Sequence, residues 1–396
     1  MLLLLLLAQP APLSLDDAVR SALDERPKVK AARLMVVQRE AQASEAARLA
    51  HLLHLVRRDL PVRREQATLG LAIAQASLEA QEADVRYAVS RTFVSLLFAR
   101  AARRIAKQVE ERVGQYQAAL ALVKPPLPAL LDPFVKEAAG VPATQAEGRV
   151  IEAEKAVALA MAALKQAMGR EASATLVIRS RVLPRLSPEV PSSEETIRLA
   201  KERSTDLRRL ALLERIHALE ADAQERIPLP RSTDTFAAGG DLHSTSTPPE
   251  GMDEYRPAPI VPEMPVKLSG SKSARVQAAR LYAAKATEVR IGAERLIELR
   301  ATAAWETIRE KRRKLEAVEK RVGDRAERAE KALAAPPGAG RAALLQEGIL
   351  ALLALADVEA ARFEHLIALM DLERLTAGAF RAGLEEAIQA DPGKDE

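Results

Sequence analysis

LDDAVRSALDERPKVKA, residues 15–31, returns later in the chain as SEETIRLAKERSTDLRR, residues 193–209. At one constant offset Val19 falls on Ile197, Ala22 on Ala200 and Val29 on Leu207. Further along, Pro125-Pro126 returns as Pro336-Pro337, and the close at Ala167-Met168-Gly169 returns as Leu375-Thr376-Ala377-Gly378. Landmarks shared in the same order at so long a period imply duplicated halves. The offset grows between the early and late landmarks by about thirty residues, a length that a connecting loop absorbs without changing the arms it joins. The halves read as residues 12–185 and 186–380, with a proline-rich loop over 227–272 in the second, a leader over 1–11 and a tail over 381–396.

Composition narrows what those halves are made of. Ala, Leu, Glu, Arg and Lys dominate the 396 residues, and only 3% are aromatic, a composition of long helices and coiled coils. The net charge of +4 comes from 59 basic and 55 acidic residues that interleave along the chain. Phosphate recognition usually shows a clustered basic face, so a nucleic-acid partner is not expected. The chain has no cysteine, which removes disulfides, zinc-thiolate sites and an acyl-cysteine anchor. Met1, Leu2 to Leu7 and the small residues at Ala8 and Ala11 read as a short secretory signal lacking its basic start. The leucine run is too short to span a bilayer.

Between Pro61 and Pro125 no proline occurs, and a seam runs Leu69, Ile73, Ala76, Ala80, Ala83, Tyr87, Ser90, Val94, Leu97, Ala101, Ile105, Val109, Val113, Tyr116, Leu120, Val123. Steps alternating four and three demand a left-handed supercoil with a neighbouring helix. A second arm of similar length lies between Pro265 and Pro336. In each half Pro-Pro must stop the helix, because the ring removes a donor and clashes with the preceding turn. Returning helices are expected over about 129–168, interrupted at Pro133 and Pro142, and over about 341–376. The pattern predicts an all-α fold of elongated, duplicated long-helix hairpins with few or no β-strands. Periodicity alone fits a filament-like coiled coil equally well.

The motif LSLDDAVRSALDERPKVKAAR, its echo after LPRLSPEVPSSEETIRLAKERSTDLRR, the turn-containing MPVKLSGSKSARVQAARLYAAK from residue 264 and the closing ALMDLERLTAG resemble the TolC family of outer-membrane efflux proteins. The individual motifs are weakly specific; their order across residues 15–378, with the duplication, is far more so. The resemblance implies a homotrimer whose protomers each supply helical hairpins to a periplasmic tunnel and strands to a twelve-stranded outer-membrane barrel. It also implies an inner-membrane pump and a periplasmic adaptor protein as partners, and a place in the outer membrane or periplasm. The sequence departs from the family where each half should supply two strands. LVRRDLPVRRE is too short for two spanning strands of about ten residues each. In the second half Pro228, Pro230, Pro248, Pro249, Pro257, Pro259, Pro262 and Pro265 crowd the corresponding stretch, and prolines do not sit inside central strands. The expectation is a chain without the lipid-spanning barrel, or with a remnant hairpin over 232–237 and 265–268.

Candidate sites follow from the same frame. The helix tips offer Pro125, Pro126 and Asp132 in the first half and Pro336, Pro337, Gly338 and Arg341 in the second, as surfaces for docking a partner or as plain helix stops. An acidic constriction of the family kind is not carried over, since Arg341 stands at the second tip and Asp132 reads equally as a helix-start carboxylate. Arg57, Arg58, Arg63 and Arg64 form a basic cluster where the first strand pair should begin, suited to anionic headgroups or an acidic partner, or else a solvated helix end. His51 and His54 share a helix face without a third ligand nearby, too few for a metal site. The basic run at 311–314 is followed by acids at helical spacing, a solvated face, and Trp305 reads as interhelical packing. No phosphate loop, zinc-protease motif or nucleophile motif is present, so neither an enzyme nor a cofactor is expected. The expected job is that of a duct component in an efflux or type I secretion assembly, with a barrel-less periplasmic scaffold or adaptor that conducts nothing as the alternative.

Overall fold

A computed structural model describes residues 12–53, 55–122, 132–180, 182–228, 232–236, 264–333 and 340–390, with the backbone alone over 119–122, 132–142, 324–333 and 340–347. The elements run α1 (Leu15–Glu25), α2 (Pro27–Leu53), α3 (Leu60–Leu122), α4 (Asp132–Ala167), α5 (Ser193–Arg203), α6 (Thr205–Arg226), β1 (Ser232–Asp234), β2 (Lys267–Ser269), α7 (Lys272–Leu333), α8 (Gly340–Leu375) and α9 (Leu384–Ala390). A short helix, an arm, a long helix and a shorter return therefore occur twice in the same order. The long helices have 63 and 62 residues, and the returns 36 each. At 1.5 Å per residue α3 is about 95 Å long, far beyond the width of a compact domain.

Local chemistry sets the breaks. Ser14 caps α1 by accepting from the Asp17 backbone N–H at 3.1 Å, while the Asp17 carboxylate accepts from the Ser14 N–H at 3.4 Å. This reciprocal capping box satisfies two orphan donors, and the bonds from Ser14 hold the Asp17 carboxyl below its ordinary range. Arg26 is extended because Pro27 disfavours helix in the residue before it, and Pro27 then opens α2 without loss of a needed donor. In the second half the same break uses another device: Ser204 ends α5 and caps α6, its hydroxyl accepting from the Leu207 N–H at 3.1 Å.

Both returns end in a left-handed residue with matching hydrogen bonds. Gly169 has φ +74°, and the Arg170 N–H reaches the Lys165 carbonyl at 2.9 Å. After α8 the equivalent position is Ala377, with φ 47°, and the Gly378 N–H reaches the Glu373 carbonyl at 2.9 Å. The second half thus has two successive left-handed residues here, Ala377 and then Gly378 with φ +78°.

The core is concentrated midway along α3. Val85, Val89, Phe93, Val94, Leu96 and Leu97 meet Leu15, Ala18, Val19 and Ala22 of α1, Leu164 and Met168 at the end of α4, and Leu366 and Met370 of α8. Of the expected seam, Ile73, Ala76, Val94, Leu97, Ala101, Ile105, Val109 and Val113 are buried. A second row, Val85, Val89, Phe93 and Leu96, is buried as well, because α1, α4 and α8 cover mid-α3 from more than one side. Away from the middle the clusters thin to Ile105, Val109, Val113 and Ala146 in one direction and to Ile73, Leu213, Ile216 and Met264 in the other. Leu13 bridges Ile178 in parallel, tying the stretch after α4 back to the start of α1.

One expectation needs revision. The first return is not interrupted: α4 is continuous from Asp132 through Pro142 to Ala167. Pro133 is the second residue of α4, where its missing N–H is an orphan in any case, and past Pro142 the helix packs on α3 through Ala143 and Ala146. The expectation of few strands holds among the described residues. Residues 54–59 are all that separates α2 from α3, leaving no length for a strand pair. Among the described residues β1 and β2 are the only named strands, paired antiparallel with Thr233 opposite Leu268, where the sequence placed a remnant hairpin.

Candidate functional site

The hairpin is rooted in a buried polar network that joins three helices. Glu220 of α6 is fully buried, although its neighbours in sequence read as a charged helix. Its carboxylate accepts from both terminal nitrogens of Arg63 on α3, from Gln66 Nε2 at 3.1 Å, from Gln224 Nε2 at 2.8 Å and from the Phe236 backbone N–H at 3.2 Å. Gln224 Oε1 in turn accepts from the Thr233 hydroxyl at 2.6 Å and from Arg275 Nε at 3.0 Å. Arg275, at the start of α7, also donates to the carbonyls of Gly270 and Ile227. A buried charge is tolerated only when paired and hydrogen-bonded, and here every described contact of Glu220 is with a donor. The network fixes both strands against α3, α6 and α7, so the angle at which the hairpin leaves the helices is specified. Phe236 closes the root by packing on Ile73, Leu213, Ile216 and Met264.

Sequence reading missed Glu220, Gln66, Gln224 and Arg275. A signal was available: Leu213, Ile216, Glu220 and Ala223 share one face of α6, so Glu220 stands in an apolar stripe where a lone carboxylate must have partners.

The network also breaks up the expected basic cluster. Arg63 is withdrawn from it, with 15% of its side chain exposed and its guanidinium committed to Glu220 and to the Asp234 carbonyl. Arg57 bonds Asp59 at 2.9 Å, and Asp59 itself is buried beside Arg63. Arg58 and Arg64 are exposed.

No protein-family model matches the sequence, and no curated protein matches it. Solved structures do. The open state of the MtrE outer membrane channel of Neisseria gonorrhoeae superposes with a TM-score of 0.69 at 15% identity, covering 93% of this chain and 90% of that one. The fold is TolC-like. A membrane protein from Pseudomonas aeruginosa gives 0.66 at 15% identity over 91% and 93% of the two chains. The CmeC outer membrane channel of Campylobacter jejuni gives 0.58 at 13% over 96% and 89%. At such identities the likeness is one of fold, and it spans nearly the whole of each chain.

Pro125, Pro126, Pro336, Pro337 and Gly338 lie outside the described residues, as do the side chains of Asp132, which opens α4, and Arg341, in the first turn of α8. His51 is exposed in the last turn of α2 and His54 lies outside the described residues; no group of metal-binding side chains occurs among those described. Lys311 and Lys314 both reach Glu364, at 3.3 and 2.8 Å, and Arg312 reaches Glu316 at 3.1 Å, so the basic run is a paired face. Trp305 donates its indole N–H to the Pro191 carbonyl at 2.9 Å and lies under the Arg309 guanidinium, which holds the stretch before α5 against α7.

Two further features were not expected. Tyr87 of α3 donates to Asp371 of α8 and accepts from Arg91 at 3.1 Å, while Arg374 stacks on its ring and bonds Asp84 at 2.6 Å. Burial, reinforced by Asp371, pushes the Tyr87 hydroxyl up to about 12, so it remains a donor across the physiological range. Below this, Arg100, Arg103, Arg104 and Lys107 line an open groove of about 720 Å³ against Leu176 and Ile178.

Proposed function

We propose that this chain is a protomer of an envelope duct, a tunnel wall component of an efflux or type I secretion assembly. The observation that carries the reading is the pairing of two long-helix hairpins of nearly equal length in a TolC-like fold that spans 93% of this chain and 90% of the MtrE outer membrane channel it resembles. Two matched hairpins act as staves, and a closed ring of staves needs several copies, for which three are proposed. Leu34 and Val37 on α2, Ile151 and Leu159 on α4, and Leu281 and Leu299 on α7 are large apolar residues left exposed in the single chain, as protomer contacts would leave them. The repeated order of elements is read as an internal duplication, and residues 1–11 as a signal for export to the outer membrane or periplasm. An inner-membrane pump and a periplasmic adaptor would meet the helix tips at Pro125, Pro126, Asp132, Pro336, Pro337, Gly338 and Arg341, and the pump would supply the energy. No chemistry is assigned to the duct itself.

The experiment is the native mass of the purified full chain, by light scattering coupled to size exclusion, with and without detergent. A particle of three 43.0 kDa chains is expected. A species that stays monomeric at every concentration would overturn the duct reading. The short connection at 54–59 and the two three-residue strands favour a second reading, a periplasmic scaffold that conducts nothing. A trimer that shows no conductance in planar bilayers would establish that alternative.

A further inference from the structure

The turn between α2 and α3 carries an apolar apex. Leu52 and Leu53 end α2, and Leu55 and Val56 follow; they are 62, 42, 83 and 82% exposed. Four large apolar side chains in a span of five residues form a contiguous exposed patch of a kind that marks an interaction surface. The patch is convex, because it caps a tight helical turn, and side chains more than four-fifths exposed project past every neighbour. A protein partner would need a pocket shaped to receive them, whereas a lipid interface needs none.

Charge around the apex agrees. Arg58 and Arg64 are exposed, and among the described residues no ion pair holds either. The nearest carboxylate in the turn, Asp59, is buried and already shared by Arg57 and Arg63. Apolar side chains ahead of a basic collar are the arrangement by which a peripheral segment enters the boundary of an anionic bilayer. The apex also stands at the right end of the molecule: Arg63, one turn into α3, bonds the Asp234 carbonyl of the hairpin, and Val62 packs on Leu219 and Ala223 near the end of α6. Val266, beside β2 at that end, is a further exposed apolar residue.

We propose that the α2–α3 turn is a membrane-contact site, inserting Leu52, Leu53, Leu55 and Val56 into the boundary of an anionic phospholipid leaflet with Arg58 and Arg64 on the headgroups. The proposal deepens the duct reading, since it gives the first half an attachment at the position where its connection has no room for strands.

The test uses the full chain, whose lack of cysteine allows single labels. Val56→Cys and, as a control on α2, Gln38→Cys are coupled to a polarity-sensitive dye and mixed with phosphatidylcholine vesicles or with vesicles containing phosphatidylglycerol. An apolar shift at position 56 but not at 38, stronger on the anionic vesicles, is expected. Leu55→Ser with Val56→Ser should lower vesicle partitioning at least about tenfold. Arg58→Gln and Arg64→Gln should each lower it about fivefold on anionic vesicles only. A label that stays aqueous on bound protein, or unchanged partitioning of the serine variant, overturns the proposal. So does an apolar shift that grows with protein concentration in the absence of vesicles, which would make a second copy the occupant. Native mass on the same samples separates the two readings: a trimer with an aqueous label fails this inference alone, and a monomer with a lipid-buried label fails the duct reading alone.

Discussion

Replacing Glu220 by Gln should loosen the hairpin root without unfolding the long helices. The substitution keeps the size of the side chain and removes its charge, leaving Arg63 with 15% exposure and only Asp59, at 3.8 Å, as a nearby anion. Removing one member of a fully buried pair costs about 3–5 kcal/mol. The residual solvent at Arg63 and the fallback to Asp59 reduce that here to about 2–3 kcal/mol. If the root opens locally, this raises the open population roughly 30- to 150-fold, one decade for each 1.4 kcal/mol. Hydrogen exchange followed by mass spectrometry over 216–236 and 264–282 reads that quantity directly, with the core segment 85–97 as the internal control. Arg63→Met should accelerate the same peptides, and the double variant should be no worse than the more damaging single one, because both substitutions break one network. Acceleration below about threefold, additive effects, or loss of protection in 85–97 would refute the assignment of Glu220 as the keystone of the root.

The two helix ends make opposite predictions. Gly169→Ala forces a side chain into a left-handed position, 3.4 Å from the Arg26 Cα, and should destabilise by about 1–2 kcal/mol, read as a lowered urea midpoint. Ala377→Gly relieves the same conformation after α8 and should raise the midpoint by about 0.5–1 kcal/mol equivalent, the gain reduced by the greater freedom of glycine when unfolded. Phe93→Ala empties the middle of the core, where the ring is fully buried, and should cost about 3–5 kcal/mol by the same assay. His365 of α8 supplies a pH dependence: burial, aided by Arg312 and opposed by Glu316, holds its imidazole below the ordinary 6.5. The unfolded chain takes the proton first, so this contribution is fully present above pH 6.5 and is lost as pH falls from there through the folded value. The midpoint of the parent should therefore drop more steeply than that of His365→Gln between neutral and mildly acid pH; parallel curves would show that the imidazole is not held neutral.

Much of the fold was legible because it rests on local rules. The proline-free stretches and the order of landmarks shared by the two halves are signals carried by the local sequence, and they became the long helices α3 and α7 and their returns. The remnant hairpin was legible for a related reason: prolines and turn residues confined any strand to a few positions beside β1 and β2. What stayed hidden depends on partners distant in sequence. Arg63 and Glu220 are 157 residues apart, so nothing local distinguishes Arg63 from the exposed Arg58 and Arg64. Val85, Val89 and Phe93 fall outside a single heptad seam because several helices, not one, pack on mid-α3. Pro142 misled in the other direction, since the 36-residue helix runs on through it despite the lost donor.

The uneven core along α3 has a mechanical meaning. Dense packing around Phe93 makes that level a fulcrum, and among the described side chains the cluster at Ile105, Val109, Val113 and Ala146 is smaller. From Phe93 to Leu122 the arm is about 44 Å long, so a tilt of about 5° at the fulcrum displaces its end by about 4 Å. A shift of the α1 or α8 side chains by a few tenths of an ångström is thus geared up to the width of a water layer where the arms end. An arm end can move by that much while the packing around Phe93 is hardly disturbed.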